Sequence, residues 1–98
     1  MLRNDGGRLW ILGMKTEKIE TIIETIHGGI TDAAGIFIYS NRGWDENVPA
    51  FVIHNSTAVL AGLNERNFNR RPVSLWFRET QGSETRESQH SAWVYLSR

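Results

Sequence analysis

The sequence RLWILGM, residues 8–14, is the first of three similar segments in this chain of 98 residues. The other two are ITDAAGI at 30–36 and TAVLAGL at 57–63. Each runs through small or apolar residues into a glycine, which one apolar residue follows. The glycines are Gly13, Gly35 and Gly62, at intervals of 22 (13 to 35) and 27 (35 to 62) residues. Repetition on a scale of about 20–50 residues is typical of solenoids, in which each coil buries its apolar face on the next.

A second set of segments lies between these repeats and follows the last of them. TIIETI (21–26), AFVI (50–53) and VSLWFRE (73–79) are β-branched or aromatic runs, and each ends in a polar turn. Each coil is therefore expected to hold a glycine-bearing strand, a variable loop, a second strand and a short turn. This pattern predicts an all-β chain with residues 1–98 as a single domain. We expect a short single-stranded right-handed parallel β-helix, a solenoid of about three coils.

Two alternatives stand beside this prediction. Ile19, Ile22, Ile23 and Ile26 have the i, i+3, i+4, i+7 spacing of an amphipathic helix. The β-branched residues that fill most of this stretch, and its match to the two later runs, favour a strand. The repeated glycines could also be unrelated turn residues in a chain that contains nine glycines.

The charge balance excludes some classes of partner. Eleven basic residues match eleven acidic ones, so the net charge is zero at neutral pH. We therefore expect no nucleic-acid partner and no polybasic attachment to a membrane. The chain has no cysteine, which excludes disulfides and thiolate metal sites. No apolar stretch has the length of a signal peptide or of a membrane span, and the cellular compartment is left open.

Residues 7–17, GRLWILGMKTE, resemble a signature near the C-terminal end of pectate-lyase-like right-handed parallel β-helix proteins, G-x-L-W-[IV]-L-G-[LM]-K-T-E. The order of later segments is similar too, over nearly the whole chain: ET (24–25), GG (28–29), AGIFIY (34–39), PAF (49–51) and RET (78–80). The resemblance implies stacked strands and a link to proteins that cleave or bind polysaccharides. It also implies that this chain matches the C-terminal portion of such a protein. Catalytic groups of the family usually lie on earlier coils, so no catalytic residue carries over.

The first coil of a short solenoid would present an open end. Solenoids normally cover such ends with a polar cap, and bare strand edges invite pairing. Residues 1–7 are too few to form a cap. We therefore predict a homo-oligomer that associates through this end, with Leu9, Trp10 and Ile11 at or near the contact. A twofold, end-to-end dimer is the simplest closed arrangement.

One loop carries the candidate carbohydrate-binding residues, which are Trp44, Arg42 and Asp45. An indole in a polar loop can stack on a sugar ring through its apolar face and donate from its N–H. The alternative is that Trp44 folds back over the core or contacts a partner. Asp45 and Glu46 are adjacent, whereas glycoside hydrolysis needs two carboxyls about 5–9.5 Å apart across a sugar. The sequence thus offers no catalytic residue and leans away from an enzyme.

The histidines do not suggest a metal site. His27 and His54 occupy equivalent turn positions and are expected to stack on neighbouring coils. Two imidazoles with no clear third ligand do not make a convincing site. We therefore predict neither a metal nor a cofactor.

A basic and aromatic patch is the last candidate. Arg66, Arg70 and Arg71 lie near Phe68, and together they could hold an acidic sugar. The alternative is ordinary solvated loop charge, which the sequence favours.

These observations rank three functions. The first is a non-catalytic β-helix module or fragment, related to polysaccharide-degrading or polysaccharide-binding proteins, that self-associates through its open N-terminal end. The second is a fragment of a polysaccharide lyase or glycoside hydrolase with residual activity. The third is a purely structural assembly module.

Overall fold

The computed structural model describes residues 1–17, 19–40, 42–68, 71–91 and 93–98. Within these ranges the chain forms nine β-strands and no helix. The strands are β1 (Leu2–Asp5), β2 (Arg8–Thr16), β3 (Ile23–Ile26), β4 (Ile30–Ser40), β5 (Phe51–His54), β6 (Thr57–Asn67), β7 (Phe77–Gln81), β8 (Glu84–Ser88) and β9 (Val94–Leu96). The isoleucine-rich stretch therefore enters a strand, and the alternative of an amphipathic helix is wrong.

The described strands form two mixed sheets. A five-stranded sheet has the order β1-β3-β5-β7-β8, and a four-stranded sheet has the order β2-β4-β6-β9. The pairs β1–β3, β3–β5, β5–β7, β2–β4 and β4–β6 are parallel. The pairs β7–β8 and β6–β9 are antiparallel. Successive parallel strands thus alternate between the two sheets.

The predicted single-stranded right-handed parallel β-helix is wrong, and so is the pectate-lyase-like fold. A solenoid grows by adding parallel strands, but here the last strand of each sheet reverses direction. β8 turns back on β7 through the two-residue turn 82–83, where Gly82 has a φ of 62°. β9 returns antiparallel along β6. The result is a compact globule of 35 × 28 × 21 Å rather than an extending coil.

The three repeat glycines are aligned with one another. Gly13, Gly35 and Gly62 have φ angles of 82°, 72° and 63°, the left-handed region that favours glycine. A Cβ atom added to Gly62 would lie 3.3 Å from the backbone nitrogen of Gly35. One added to Gly35 would lie 3.6 Å from the Cα atom of Gly13. The three glycines therefore lie one over another across β2, β4 and β6.

Each of these glycines is an extra residue that shifts the alternation of its strand. Ile11 and Met14 both pack against the core although they are three residues apart, whereas side chains on one face of a regular strand are two apart. Ala33 and Ile36 repeat this step in β4 as buried residues. The shared shift keeps the inner faces of the parallel strands in register.

The core lies between the inner faces of the two sheets. The rings of Phe51 and Phe77 stack with centroids 5.7 Å apart, and the Tyr95 ring stacks on Phe77 at 4.0 Å. Tyr95 lies on β9, so this strand covers one end of the core. We call this end, where β8 and β9 are the outermost strands, the closed end. At the opposite end, β1 and β2 are the outermost strands of their sheets. In the described part of the chain, no strand pairs with their outer edges.

Candidate functional site

β2 differs from the other outermost strands in length and composition. It has nine residues, RLWILGMKT, and its charged side chains, Arg8 and Lys15, lie near its two ends. β1 has four residues, β8 is the polar sequence ETRES, and β9 has three residues. Proteins protect sheet edges by making them short or charged, and long apolar edges pair with other chains. Of the four outer strands that the structure describes, β2 is the one with an unprotected apolar edge.

The side chains of β2 alternate between the core and the surface. Leu9 and Ile11 are half-buried and pack against the core. Trp10 and Leu12 point outward and are 77% and 76% exposed. The three residues predicted at an oligomer contact thus lie side by side on the free edge strand. Their contact with a second copy stays a prediction.

The backbone of β2 also directs N–H and C=O groups toward this edge. The N–H of Ile30 on β4 donates to the carbonyl of Gly7 at 2.8 Å. Successive residues of a strand direct their N–H and C=O groups to opposite edges. The backbone groups of Arg8, Trp10 and Leu12 therefore point away from β4, toward the free edge.

Trp44 does not lie where a sugar could stack on it. Its side chain is buried, with 2% exposure, and its indole N–H donates to the carbonyl of Val48 at 2.7 Å. The predicted sugar-stacking role is therefore wrong, because the loop folds back and the indole fills the core. Arg42 and Asp45 remain exposed on this loop. The Asp45 carboxylate accepts the backbone N–H of Asn47 at 2.8 Å, which stabilises the turn.

An aromatic–cation cluster lies instead on the outer face of the four-stranded sheet. We define it as Lys15, Phe37, Tyr39, Arg66 and Phe68. The Tyr39 ring lies 5.2 Å from Phe68 and 6.2 Å from Phe37 between centroids. The Lys15 ammonium is 4.8 Å from the centre of the Tyr39 ring. The Arg66 guanidinium is 5.5 Å from the centre of the Phe68 ring. Both distances are within the range of cation–π attraction.

Strand register explains why these residues meet. Lys15 pairs with Phe37, and Tyr39 pairs with Arg66, on neighbouring parallel strands. The sequence pattern indicated Arg66 and Phe68 but not the other three residues of the cluster. Their spacing from the repeat glycines could have indicated this cluster, because Lys15 lies two residues after Gly13 and Phe37 lies two residues after Gly35. Once the glycines align, these side chains must fall on one face.

The rest of the predicted basic patch lies elsewhere. Arg71 is exposed, and its carbonyl accepts the backbone N–H of Trp44 at 2.9 Å, so it belongs to the neighbouring loop. Arg70 lies outside the described residues. Lys15 and Arg66 are therefore the cations that lie over the rings of this cluster.

A buried carboxylate lies at the closed end of the molecule. Glu79 on β7 is 1% exposed and accepts hydrogen bonds from four partners. The Tyr95 hydroxyl donates at 2.6 Å, the Arg86 guanidinium at 2.7 Å, the Arg98 backbone N–H at 2.8 Å and the Gln81 amide at 3.0 Å. Burial on its own would raise the pKa of Glu79, but these hydrogen bonds lower it to about 2. Burial and this carboxylate together raise the pKa of Tyr95 to about 12.

This arrangement is structural rather than catalytic. A general acid or base needs a pKa near the working pH and access to a substrate. The Glu79 carboxylate has neither, because its oxygens are already bound to Tyr95, Arg86, Gln81 and Arg98. The hydrogen bonds of Glu79 instead connect β9 and Arg98 to β7.

The histidines do not form the expected pair. The register places His54 beside Ile26, so His27 lies one position further along, next to Asn55. His27 and Asn55 share a left-handed backbone, with φ angles of 54° and 47°. The Nδ1 atom of His27 lies 2.7 Å from the Asp5 carboxylate. Among the residues that the structure describes, no group of three potential side-chain ligands could hold a metal ion.

Comparison with known proteins gives no relative for this fold or these sites. No family model, no curated protein and no solved structure matches the chain. The resemblance to pectate-lyase-like proteins therefore rests on the quoted residues alone. In the described ranges, no helix is long and apolar enough to cross a membrane.

Proposed function

We propose that this protein is a non-catalytic assembly module that forms a twofold dimer by pairing β2 with β2 of a second copy. The observation that carries the proposal is the edge of β2, a long apolar outer strand whose backbone groups at Arg8, Trp10 and Leu12 face away from β4 and from every other strand that the structure describes. Trp10 and Leu12 project beside this edge and are more than three-quarters exposed. A second copy has matching groups at the same edge, because an isologous contact uses one surface twice.

The twofold symmetry of the proposed contact determines the direction in which the two strands pair. A twofold axis perpendicular to the sheet reverses the direction of the second strand, so the two copies of β2 run antiparallel. Backbone hydrogen bonds then form across the axis, and two four-stranded sheets become one continuous sheet. The half-buried Leu9 and Ile11 of each copy approach those of the other on the inner side. Cross-strand apolar pairs contribute about 0.2–1 kcal/mol each.

The decisive experiment measures the mass of the full chain in solution. Size-exclusion chromatography with light scattering at micromolar concentration should give twice the mass of the 11.2 kDa chain. A mass equal to one chain at this concentration overturns the proposal. A mass that grows steadily with concentration also overturns it, because a closed twofold contact stops at two copies.

A second candidate function is the binding of an acidic polysaccharide by the aromatic–cation cluster. Exposed rings can stack on the apolar face of a sugar, and Lys15 and Arg66 can pair with its carboxylates. Phe68 is 56% exposed and Phe37 is 36% exposed, so both rings are accessible. Residual lyase or hydrolase activity of a fragment stays a prediction from the resemblance and is not proposed here.

A glycan array tests this second candidate. We expect acidic glycans to bind the wild-type chain and to lose binding in the Phe68→Ala variant. Phe37→Ala is a matched change within the aromatic–cation cluster and should weaken binding to the same glycans. Binding that survives in both variants, or no binding by the wild-type chain, rejects the candidate.

A further inference from the structure

The regular part of the β2 edge is short and has clear limits. Gly7 precedes it within a turn, where its N–H donates to the Asn4 side chain at 3.0 Å. Gly13 ends it, because the extra residue there interrupts the alternation of side chains. The segment that can pair regularly with another strand therefore runs from Arg8 to Leu12.

Twofold symmetry leaves few registers for such a segment. In an antiparallel pair, directly opposite residues lie on the same face of the sheet. An axis level with the midpoint between two successive residues of β2 would place an inward side chain opposite an outward one, which one continuous sheet does not allow. The axis must therefore pass between two copies of the same residue, one on each strand. All five residues pair only when that residue is the central one, Trp10, and an axis at Leu9 or Ile11 leaves three regular pairs.

The side chains that this register brings together are compatible. Leu9 lies opposite Ile11 of the second copy on the inner face, so both inner pairs are apolar. Arg8 lies opposite Leu12, which avoids two like charges facing each other. Trp10 lies opposite Trp10 on the outer face, and aromatic cross-strand pairs are among the favourable ones.

The accessible space around Trp10 agrees with this pairing. A depression on the outer face is lined by residues of β2 and β4, among them Trp10 and Ile30. An indole of the second copy that extends over the outer face of β2 would enter this depression. The apolar side chain of Ile30, which is 38% exposed, would be covered by that contact.

We infer that the twofold axis of the dimer passes midway between Trp10 and Trp10 of the second copy, so that these two residues pair. This inference rests on the proposed function, since it specifies the register of the same contact. The backbone groups of Trp10 point to the edge, so the two residues form a hydrogen-bonded pair. Their Cα atoms are then about 5.5 Å apart.

The lack of cysteine makes this register directly measurable. A disulfide requires Cα atoms about 4.4–6.8 Å apart. The Trp10→Cys variant should therefore form a covalent dimer under mild oxidation. The Leu12→Cys variant is the matched control and should stay monomeric on a non-reducing gel. Its two Cα atoms would be displaced by four residues, about 14 Å along the strands.

A mixed experiment keeps Trp10 in place. An equimolar mixture of Arg8→Cys and Leu12→Cys chains should give a covalent heterodimer, because these residues face each other across the axis. This mixture still tests the register if the loss of the indole weakens association of the Trp10→Cys variant.

The outcomes separate the register from the proposed function. If the wild-type chain is dimeric but neither Trp10→Cys nor the mixture cross-links, the inferred register is wrong and the dimer proposal stands. Efficient cross-linking of Leu12→Cys alone also overturns the register. If the wild-type chain is monomeric in light scattering, the proposed function itself fails.

Discussion

The hydroxyl of Tyr95 donates a hydrogen bond to the buried carboxylate of Glu79 at 2.6 Å, which joins the last strand of one sheet to β7 of the other. Arg86 and the backbone of Arg98 bind the same carboxylate. This contact holds β9 against the molecule and closes one end of it. The free edge of β2 therefore lies at the opposite end, and the two ends are not equivalent.

Acid should weaken the fold through Glu79. Its pKa is lowered from an ordinary 4.5 to about 2 by hydrogen bonds that outweigh its burial. Below pH 4.5 the unfolded chain binds this proton first, so its contribution to the free energy of unfolding falls as the pH drops toward 2. The loss should reach up to about 3 kcal/mol. Urea unfolding at a series of pH values measures it, with Glu79→Gln as the control.

The control has its own expected result. Glu79→Gln keeps the shape of the side chain but removes its charge, so its stability should be lower by about 2 kcal/mol at neutral pH. Its stability should also change less between pH 4.5 and pH 2 than that of the wild-type chain. An identical acid dependence in both proteins would mean that another group is responsible.

Proline at the edge of β2 should separate pairing from folding. The N–H of Trp10 points to the free edge, so Trp10→Pro removes no hydrogen bond between β2 and β4. We expect this variant to remain folded by far-ultraviolet circular dichroism and to be monomeric by light scattering. Trp10→Ala keeps the N–H and should lose less dimer than Trp10→Pro.

A second proline variant controls for general effects. Glu87 lies on β8, and its backbone points away from β7, because the neighbouring Ser88 carbonyl accepts the N–H of Trp76. Glu87→Pro should leave the dimer intact. Equal loss of dimer in Glu87→Pro and Trp10→Pro would contradict pairing through β2.

Trp44 should behave as a core residue. Trp44→Ala removes a buried indole and its hydrogen bond to Val48, and the free energy of unfolding should fall by about 3–5 kcal/mol. Trp44→Phe keeps most of the ring and should lose about 1–2 kcal/mol. Thermal unfolding of both variants tests this expectation. Near wild-type stability of Trp44→Ala would reject the core role.

The stacked glycines should be more sensitive than a turn glycine. Gly62→Ala places a Cβ atom 3.3 Å from the Gly35 nitrogen at a φ of 63°. Gly82→Ala has nearly the same φ, 62°, but no described atom lies within 4 Å of the added Cβ. We expect losses of about 2–3 kcal/mol for Gly62→Ala and about 1 kcal/mol for Gly82→Ala. Equal losses in denaturant unfolding would show that close approach costs nothing at Gly62.

Residue pattern alone did not indicate β1 or β8, but it was enough to predict an all-β chain and the strands that carry Gly13, Gly35 and Gly62. These features are encoded locally, because side-chain alternation and left-handed glycines depend on neighbouring residues. The direction of β8 and β9, the burial of Trp44 and the meeting of Lys15 with Tyr39 needed the folded chain. Each depends on contacts between residues far apart in the sequence, and many pairings satisfy the same local pattern until the core selects one.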